Sequence, residues 1–269
     1  MTPKLAHLFL IREGLNHEIV WERFFLHHEE TYSLYVHAKW PNSVKSRWLQ
    51  RNLIEDHCDT EWGSVSIVQA ELQLLKAALR TKDNRFFLLH SESCVPLRPF
   101  GEIYEELFRI DRSWIHYHRG NMRRYQGVNQ AVIPKRHFLK SSQFFCLTRA
   151  HAELLVKRLD LNNWKECYCA DEHCVASTLS EYGELDKCVK RDLTFAHWPQ
   201  QSRSPITFSN LSYSELKLFR TTPALFARKF AIDSDIANFI PISNQTGSRS
   251  RRTSHRSPIA FGPLGYTCQ

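Results

Sequence analysis

Two short runs, Leu8-Phe9-Leu10-Ile11 and Phe86-Phe87-Leu88-Leu89, are apolar at every position. A strand with one wet face alternates apolar and polar residues, so an unbroken run requires cover on both faces. Strands of that kind sit in sheets sandwiched between helices, and a helical pattern lies between these two. Val65, Val68, Leu72, Leu75 and Leu79 recur at three-four spacing, and Ser64 or Ser66 stands where a cap belongs. Further strands are expected at 32–37, 114–117, 143–147, 188–190, 193–195 and 224–230, with helices at 18–27, 101–109, 150–159 and 212–220. The alternation predicts an α/β fold, a nucleotide-binding type of sandwich with a mostly parallel central sheet flanked by helices. Ligands of such sheets bind outside the carboxyl ends of the strands. That rule selects His37, the segment Ser91-Glu92-Ser93-Cys94 and whatever follows Leu147.

With 269 residues, 42% hydrophobic and 24% charged, the chain has the balance of a globular protein. Residues 1–240 carry the globular pattern, while 241–269 turn to Ser, Arg, Thr and Gly and are expected to form a poorly ordered basic tail. The net charge of +8 favours anionic partners: nucleic acid, a membrane surface or a phosphorylated small molecule. Arg249, Arg251, Arg252 and Arg256 lack aromatic neighbours on which bases would stack, which argues against nucleic acid. No apolar run reaches the length of a membrane span and the N-terminus has no signal-peptide core, so a soluble chain is expected. The 8 cysteines suit a lumenal protein with a few disulfides. Cys167-x-Cys169 with His173 and Cys174 offers a zinc reading, but the spacing is poor for a structural site.

Motifs for dinucleotides (G-x-G-x-x-G), P-loops and α/β-hydrolases (G-x-S-x-G) are absent. What stands out is Asp171-Glu172-His173 before Val175, Leu179 and Tyr182. The spacing predicts that Glu172 stands on the first turn of an amphipathic helix and heads its core-facing row. An acid there is either an ordinary helix-end charge, favoured by the macrodipole, or a general base at the mouth of a site. Asp171 reads as the capping residue of that helix.

Several segments occur in a familiar order: Tyr32-Ser33-Leu34-Tyr35-Val36-His37, Trp62-Gly63-Ser64-Val65-Ser66, Phe87-Leu88-Leu89-His90-Ser91-Glu92-Ser93-Cys94-Val95-Pro96, Asp171-Glu172-His173 and Phe226-Ala227-Arg228-Lys229-Phe230. Together they resemble the core-two/I-branching β-1,6-N-acetylglucosaminyltransferase family, which also includes peptide O-xylosyltransferases and many plant members. The forms seen here look closest to the plant-type branch. The resemblance runs from about Leu8 to Phe230. It implies a GT-A-like fold and an inverting transfer from a UDP-sugar to a hydroxyl of a glycan or glycoprotein. N-acetylglucosamine is the first choice of sugar and xylose the second. The resemblance also implies no metal cofactor, and a place in the Golgi lumen or membrane.

By the same resemblance Glu172 matches the catalytic base. Lys229 matches the diphosphate-binding lysine and Arg203 the arginine beside it, with Arg220 as the fallback. Arg228 reads as surface charge. Glu71 matches an acid near the uracil ring, and Val36 and His37 match a strand end lining the nucleotide pocket, although His37 reads equally as a buried structural histidine. Glu92, Trp114, Arg119 and Arg124 are expected on the acceptor side. A departing nucleoside diphosphate needs its charge neutralised. The strand at 86–89 is followed by Ser91-Glu92-Ser93 instead of a metal-carrying Asp-x-Asp, and Asp233-Ser234-Asp235 reads as a turn or cap. Rival readings are a non-catalytic glycan- or nucleotide-binding module on the same fold, a basic nucleic-acid binder, and a glycoside hydrolase lacking an evident second acid.

Overall fold

A computed structural model describes residues 2–200, 202 and 204–236. The proposed boundary at residue 240 and the basic tail lie outside the described residues. The strands are β1 Lys4–Ile11, β2 Tyr32–Ala38, β3 Asn84–Ser91, β4 Val95–Pro96, β5 Ser113–Trp114, β6 Tyr117–Arg119, β7 Leu139–Ser141, β8 Cys146–Thr148, β9 Cys188–Val189, β10 Thr194–Ala196 and β11 Phe226–Arg228. Between them run α1 Glu18–Phe25, α2 Arg47–Gln50, α3 Ser66–Leu79, α4 Phe100–Ile110, α5 Met122–Tyr125, α6 Arg149–Arg158, α7 Cys174–Glu181 and α8 Tyr213–Thr221.

The central sheet has six strands in the order β2-β1-β3-β8-β5-β9. β1 pairs in parallel with both β2 and β3, β5 pairs in parallel with β9, and β8 runs against its two neighbours. This is the mostly parallel α/β sandwich expected of the sequence. Alternation along β1 sorts the core into two layers. Leu5, Phe9 and Ile11 face Trp21 and Phe25 of α1 and Phe100 of α4. Ala6 and Leu8 face Leu72 and Leu75 of α3, Leu155 of α6 and Leu179 of α7. Cover on both faces is why the first apolar run has no polar member.

α3 begins where the spacing predicts, but neither serine caps it: Val65 stands at the N-cap without a side-chain bond, while Ser64 Oγ accepts the Ser66 amide at 3.2 Å and Ser66 Oγ accepts the Glu61 amide at 2.9 Å in the turn before it. α8 is closed at its start by a capping box between Ser212 and Glu215. The strand expected at 114–117 is two short ones, β5 and β6, which belong to different sheets. A second sheet, β10-β11-β4, joins residues far apart in sequence, because β11 pairs antiparallel with β4. The chain after β11 is tied to the loop after β3: the Phe230 amide donates to Ser93 O at 3.1 Å, and Asn16 Nδ2 to Phe230 O at 2.7 Å. Asp233 falls in a turn, as expected of Asp233-Ser234-Asp235. No helix among the described residues is long and apolar enough to cross a membrane.

Candidate active site

A cleft of about 1590 Å³ opens where the parallel strands end. Arg12 follows β1, Lys39 follows β2, and Ser91 and Glu92 close β3; all four line it. With strand order 2-1-3 the crossovers leave β1 in opposite directions, so this is the place where an α/β sheet opens a crevice.

Glu172 lines the cleft, but not from the first turn of a helix. It ends a separate 3₁₀ turn, Ala170–Glu172, and α7 starts only at Cys174. Cys169, in the left-handed region at φ 53°, sets the turn apart from the chain before it. The expected row is therefore broken, and Tyr182, 40% exposed, lies beyond the end of α7. Asp171 is not a cap either: no side chain caps α7, and Asp171 Oδ1 is sealed from solvent without a hydrogen-bond partner. Burial, and then the neighbouring Glu172 carboxylate, push its pKa up to about 6.

The Ala170–Glu172 turn is held from both sides. His173 Nδ1 donates to Leu139 O at 2.7 Å, and Ser177 Oγ accepts the Leu139 amide at 3.0 Å, which fixes the turn against β7. Burial depresses the His173 pKa to about 4, so the ring is neutral. Lys140, next along β7, places Nζ 3.5 Å from Glu172 Oε2, and Arg124 Nη1 of α5 donates to the same oxygen. Burial is the largest single influence on Arg124 and lowers its pKa, but the hydrogen bond to Glu172, the charge of Glu172 and the nearby Cys169 and Cys167 together outweigh it and leave a net rise. The carboxylate is thus aimed by two cations at partial exposure.

A second basic group enters through the β4–β11 pairing. Arg228 and Lys229 both line the cleft, and neither makes an ion pair with a described residue. Arg228 is not the surface charge expected of it: its guanidinium lies over Phe144 at 4.4 Å, and its Nε is buried without a partner. Burial lowers its pKa, partly offset by the more distant carboxylates of Glu92, Asp171 and Glu172. Burial and the charge of Arg228 lower the Lys229 pKa. Both residues are partly buried, and a partly desolvated cation without an ion-pair partner is relieved by an anion entering the cleft.

The structure brings together Glu172, Arg124, Lys229 and Glu92, the last paired with Arg12 at 3.1 Å. Arg203 lies outside the described residues. Several expectations are corrected. Val36 is fully buried in the core. His37 is a buried structural histidine whose Nε2 accepts the Cys58 amide at 3.2 Å; burial and then His57 lower its pKa to about 4. The cleft wall at that strand end is Lys39 instead. Glu71 stands one layer behind the cleft, bonded by Gln143 Nε2 at 2.9 Å, and burial and then Asp171 push its pKa well up. Trp114 is fully buried, since β5 lies inside the central sheet, and Arg191 covers its ring at 4.3 Å. Arg119 is turned away because β6 alternates: His118, opposite Lys140, meets the cleft, and Arg119, opposite Leu139, does not. The zinc reading of Cys167 and Cys169 fails. No group of three metal-holding side chains exists among the described residues, and burial pushes the Cys167 thiol up to about 12.

Lys140 and Arg228 are the residues sequence reasoning missed; the signal for Arg228 is its place in the same segment as Lys229. The chain is 27% identical over 259 residues to Glycosyltransferase BC10 of Oryza sativa subsp. japonica. That match covers 83% of this chain and 65% of the rice protein, so the chain spans less than two thirds of that relative's length. A family model described as "Branch: Core-2/I-Branching enzyme" matches residues 5–220, which include the Ala170–Glu172 turn and the ends of β1, β2 and β3, and the chain belongs to that family.

Proposed function

We propose that this chain is an inverting glycosyltransferase, moving a sugar from a UDP-sugar to a hydroxyl of a glycan or glycoprotein. N-acetylglucosamine is the first candidate sugar and xylose the second. Membership of the core-two/I-branching family supports the transferase class, as does the name of the rice relative. The observation that carries the reading is the pairing, in one cleft, of an aimed carboxylate with an unneutralised basic pair. Glu172 takes the proton of the acceptor hydroxyl as that oxygen attacks the anomeric carbon. The bond from that carbon to the phosphate oxygen breaks, and UDP leaves with the electron pair. Lys229 and Arg228 neutralise the charge that develops on the leaving diphosphate, the task a divalent ion performs elsewhere. Cations already fixed in the cleft wall need no reorganisation as the charge develops, so they stabilise the departing group more than free ions in water do.

Calorimetry with UDP, and slow hydrolysis of a panel of UDP-sugars, test this directly. UDP is expected to bind equally well with and without EDTA. Lys229→Ala is expected to weaken binding about 10- to 100-fold, the loss of one or two charge-assisted hydrogen bonds. Absence of any UDP binding removes the transferase reading. Binding or turnover abolished by the chelator removes the metal-free mechanism alone. Binding without hydrolysis or transfer leaves the non-catalytic module as the answer.

A further inference from the structure

One large side chain in the cleft has no structural task. Trp62 is 76% exposed, although an indole is usually highly buried. It lies against Tyr168, itself half exposed, with ring centroids 5.6 Å apart and planes 79° apart. The two rings make a corner, one wall standing on the other.

This corner is built into the backbone. The Cys169 amide donates to Gly63 O at 2.8 Å, which ties the Trp62 loop to the strand of chain entering the base turn. Gly63 has φ +79°, and a Cβ there would stand 2.7 Å from Tyr168 Cε2, so only glycine lets the tyrosine ring close the corner. Arg124 completes it: the guanidinium that holds Glu172 lies 5.4 Å from the centre of the Tyr168 ring. Trp62, Tyr168, Arg124 and Glu172 thus form one contiguous row along the cleft.

A pyranose ring has a face of polarised C–H bonds and a rim of hydroxyls. The negative face of an indole attracts the first, and guanidinium and phenol groups hydrogen-bond the second. We propose that Trp62 and Tyr168 form a stacking subsite for a sugar ring of the acceptor, so that the acceptor is a saccharide and not a peptide serine. Assigning that ring to the acceptor rests on the transferase reading, in which Glu172 touches the acceptor hydroxyl. A serine in an extended peptide offers no flat C–H face to the corner.

The experiment is a tryptophan-fluorescence titration at saturating UDP. The ligands are a panel of short hexose, N-acetylhexosamine and pentose oligosaccharides, and a serine-rich peptide. At least one saccharide series is expected to bind and shift the emission, and the peptide is not. Trp62→Ala and Tyr168→Ala are expected to raise the saccharide Kd about ten-fold or more, as loss of an aromatic anchor does. Trp62→Phe keeps most of the affinity, Gly63→Ala loses it by displacing Tyr168, and the Kd for UDP stays the same in all four. Saccharide affinity indifferent to Trp62→Ala and Tyr168→Ala overturns the subsite, as does preferential binding of the peptide. A protein that binds saccharide through Trp62 but never binds UDP keeps the subsite and loses the transferase reading.

Discussion

Glu172→Gln is expected to lower sugar transfer by about 10²–10⁴-fold, the contribution of a positioned general base, while leaving UDP affinity near that of the parent protein. The amide has the shape of the carboxylate and still accepts a hydrogen bond from Arg124, so the turn keeps its place. What it lacks is a lone pair basic enough to take the acceptor proton. The fold is expected to survive, because the amide keeps the volume of the carboxylate and an acceptor for Arg124, and the Arg124 and Lys140 side chains still reach solvent. Single-turnover transfer with UDP-sugar and a saccharide acceptor, alongside UDP calorimetry, separates the two effects. Near-normal transfer by Glu172→Gln eliminates the assigned base. Asp171, next to it in the cleft with a pKa pushed up to about 6, is then the carboxyl to replace. Glu92 also lines the cleft, so a second acid of the kind a glycoside hydrolase needs is present, but Arg12 holds it in an ion pair. Unchanged cleavage of simple glycosides on adding UDP would favour that rival, and a dependence of all chemistry on a UDP-sugar excludes it.

The parts of this molecule legible in sequence are those fixed by local periodicity. β1 and β3 carry uninterrupted apolar runs, and α3 carries a clean three-four stripe, so each lies where its pattern places it. The element around Glu172 was not legible in that way. A 3₁₀ turn followed by a helix presents nearly the same spacing as one longer helix, and the left-handed Cys169 that separates them leaves no mark on a pattern of apolar residues. Short strands fail for a related reason. In β6, of three residues, a shift by one exchanges Arg119 for His118 at the cleft, and no long alternation is available to set the phase. Trp114 reads as a possible contact until β5 is found inside the central sheet. Arg228 depends on pairing across nearly half the chain: only the contact of β11 with β4 turns an apparent surface charge into the lining of the cleft. The family motifs singled out Glu172 and Lys229 where periodicity did not, and both line the cleft.

Acid is expected to unfold this protein through its buried histidines, and His7 and His90 supply the steepest part. They are fully buried, stacked at 5.2 Å, and joined by His7 Nδ1 to His90 Nε2 at 3.0 Å. Phe25 lies 4.8 Å from His7, and Trp21 and Phe226 lie 4.9 and 4.6 Å from His90. The outer nitrogens, His7 Nε2 and His90 Nδ1, have no partner, so an added proton finds no acceptor. Burial lowers the His7 pKa to about 3, and burial with the charge of His7 lowers that of His90 well below the usual value. The folded state therefore stays neutral where the unfolded chain binds protons, and stability falls as pH drops below about 6.5. Each histidine contributes a slope of about 1.4 kcal/mol per pH unit, and for His7 the loss levels off near pH 3, where the folded state titrates too. For His7 this loss is a few kcal/mol by pH 4.5, and His90 adds to it in the same direction, against the roughly 5–15 kcal/mol that stabilises a domain. Glu71 and Asp171 work the other way, since a raised carboxyl pKa makes the folded state the better proton binder, for Asp171 between about pH 4 and 6. The comparison that isolates the pair is therefore a difference: urea unfolding of the parent and of His7→Leu/His90→Leu at pH 5, 6 and 8. The variant is expected to lose stability less steeply below pH 6.5, by up to about 2.7 kcal/mol per pH unit for the two protons. Parallel curves for the two proteins mean that the pair already carries a proton in the folded state, and the acid sensitivity then belongs to His37 and His173.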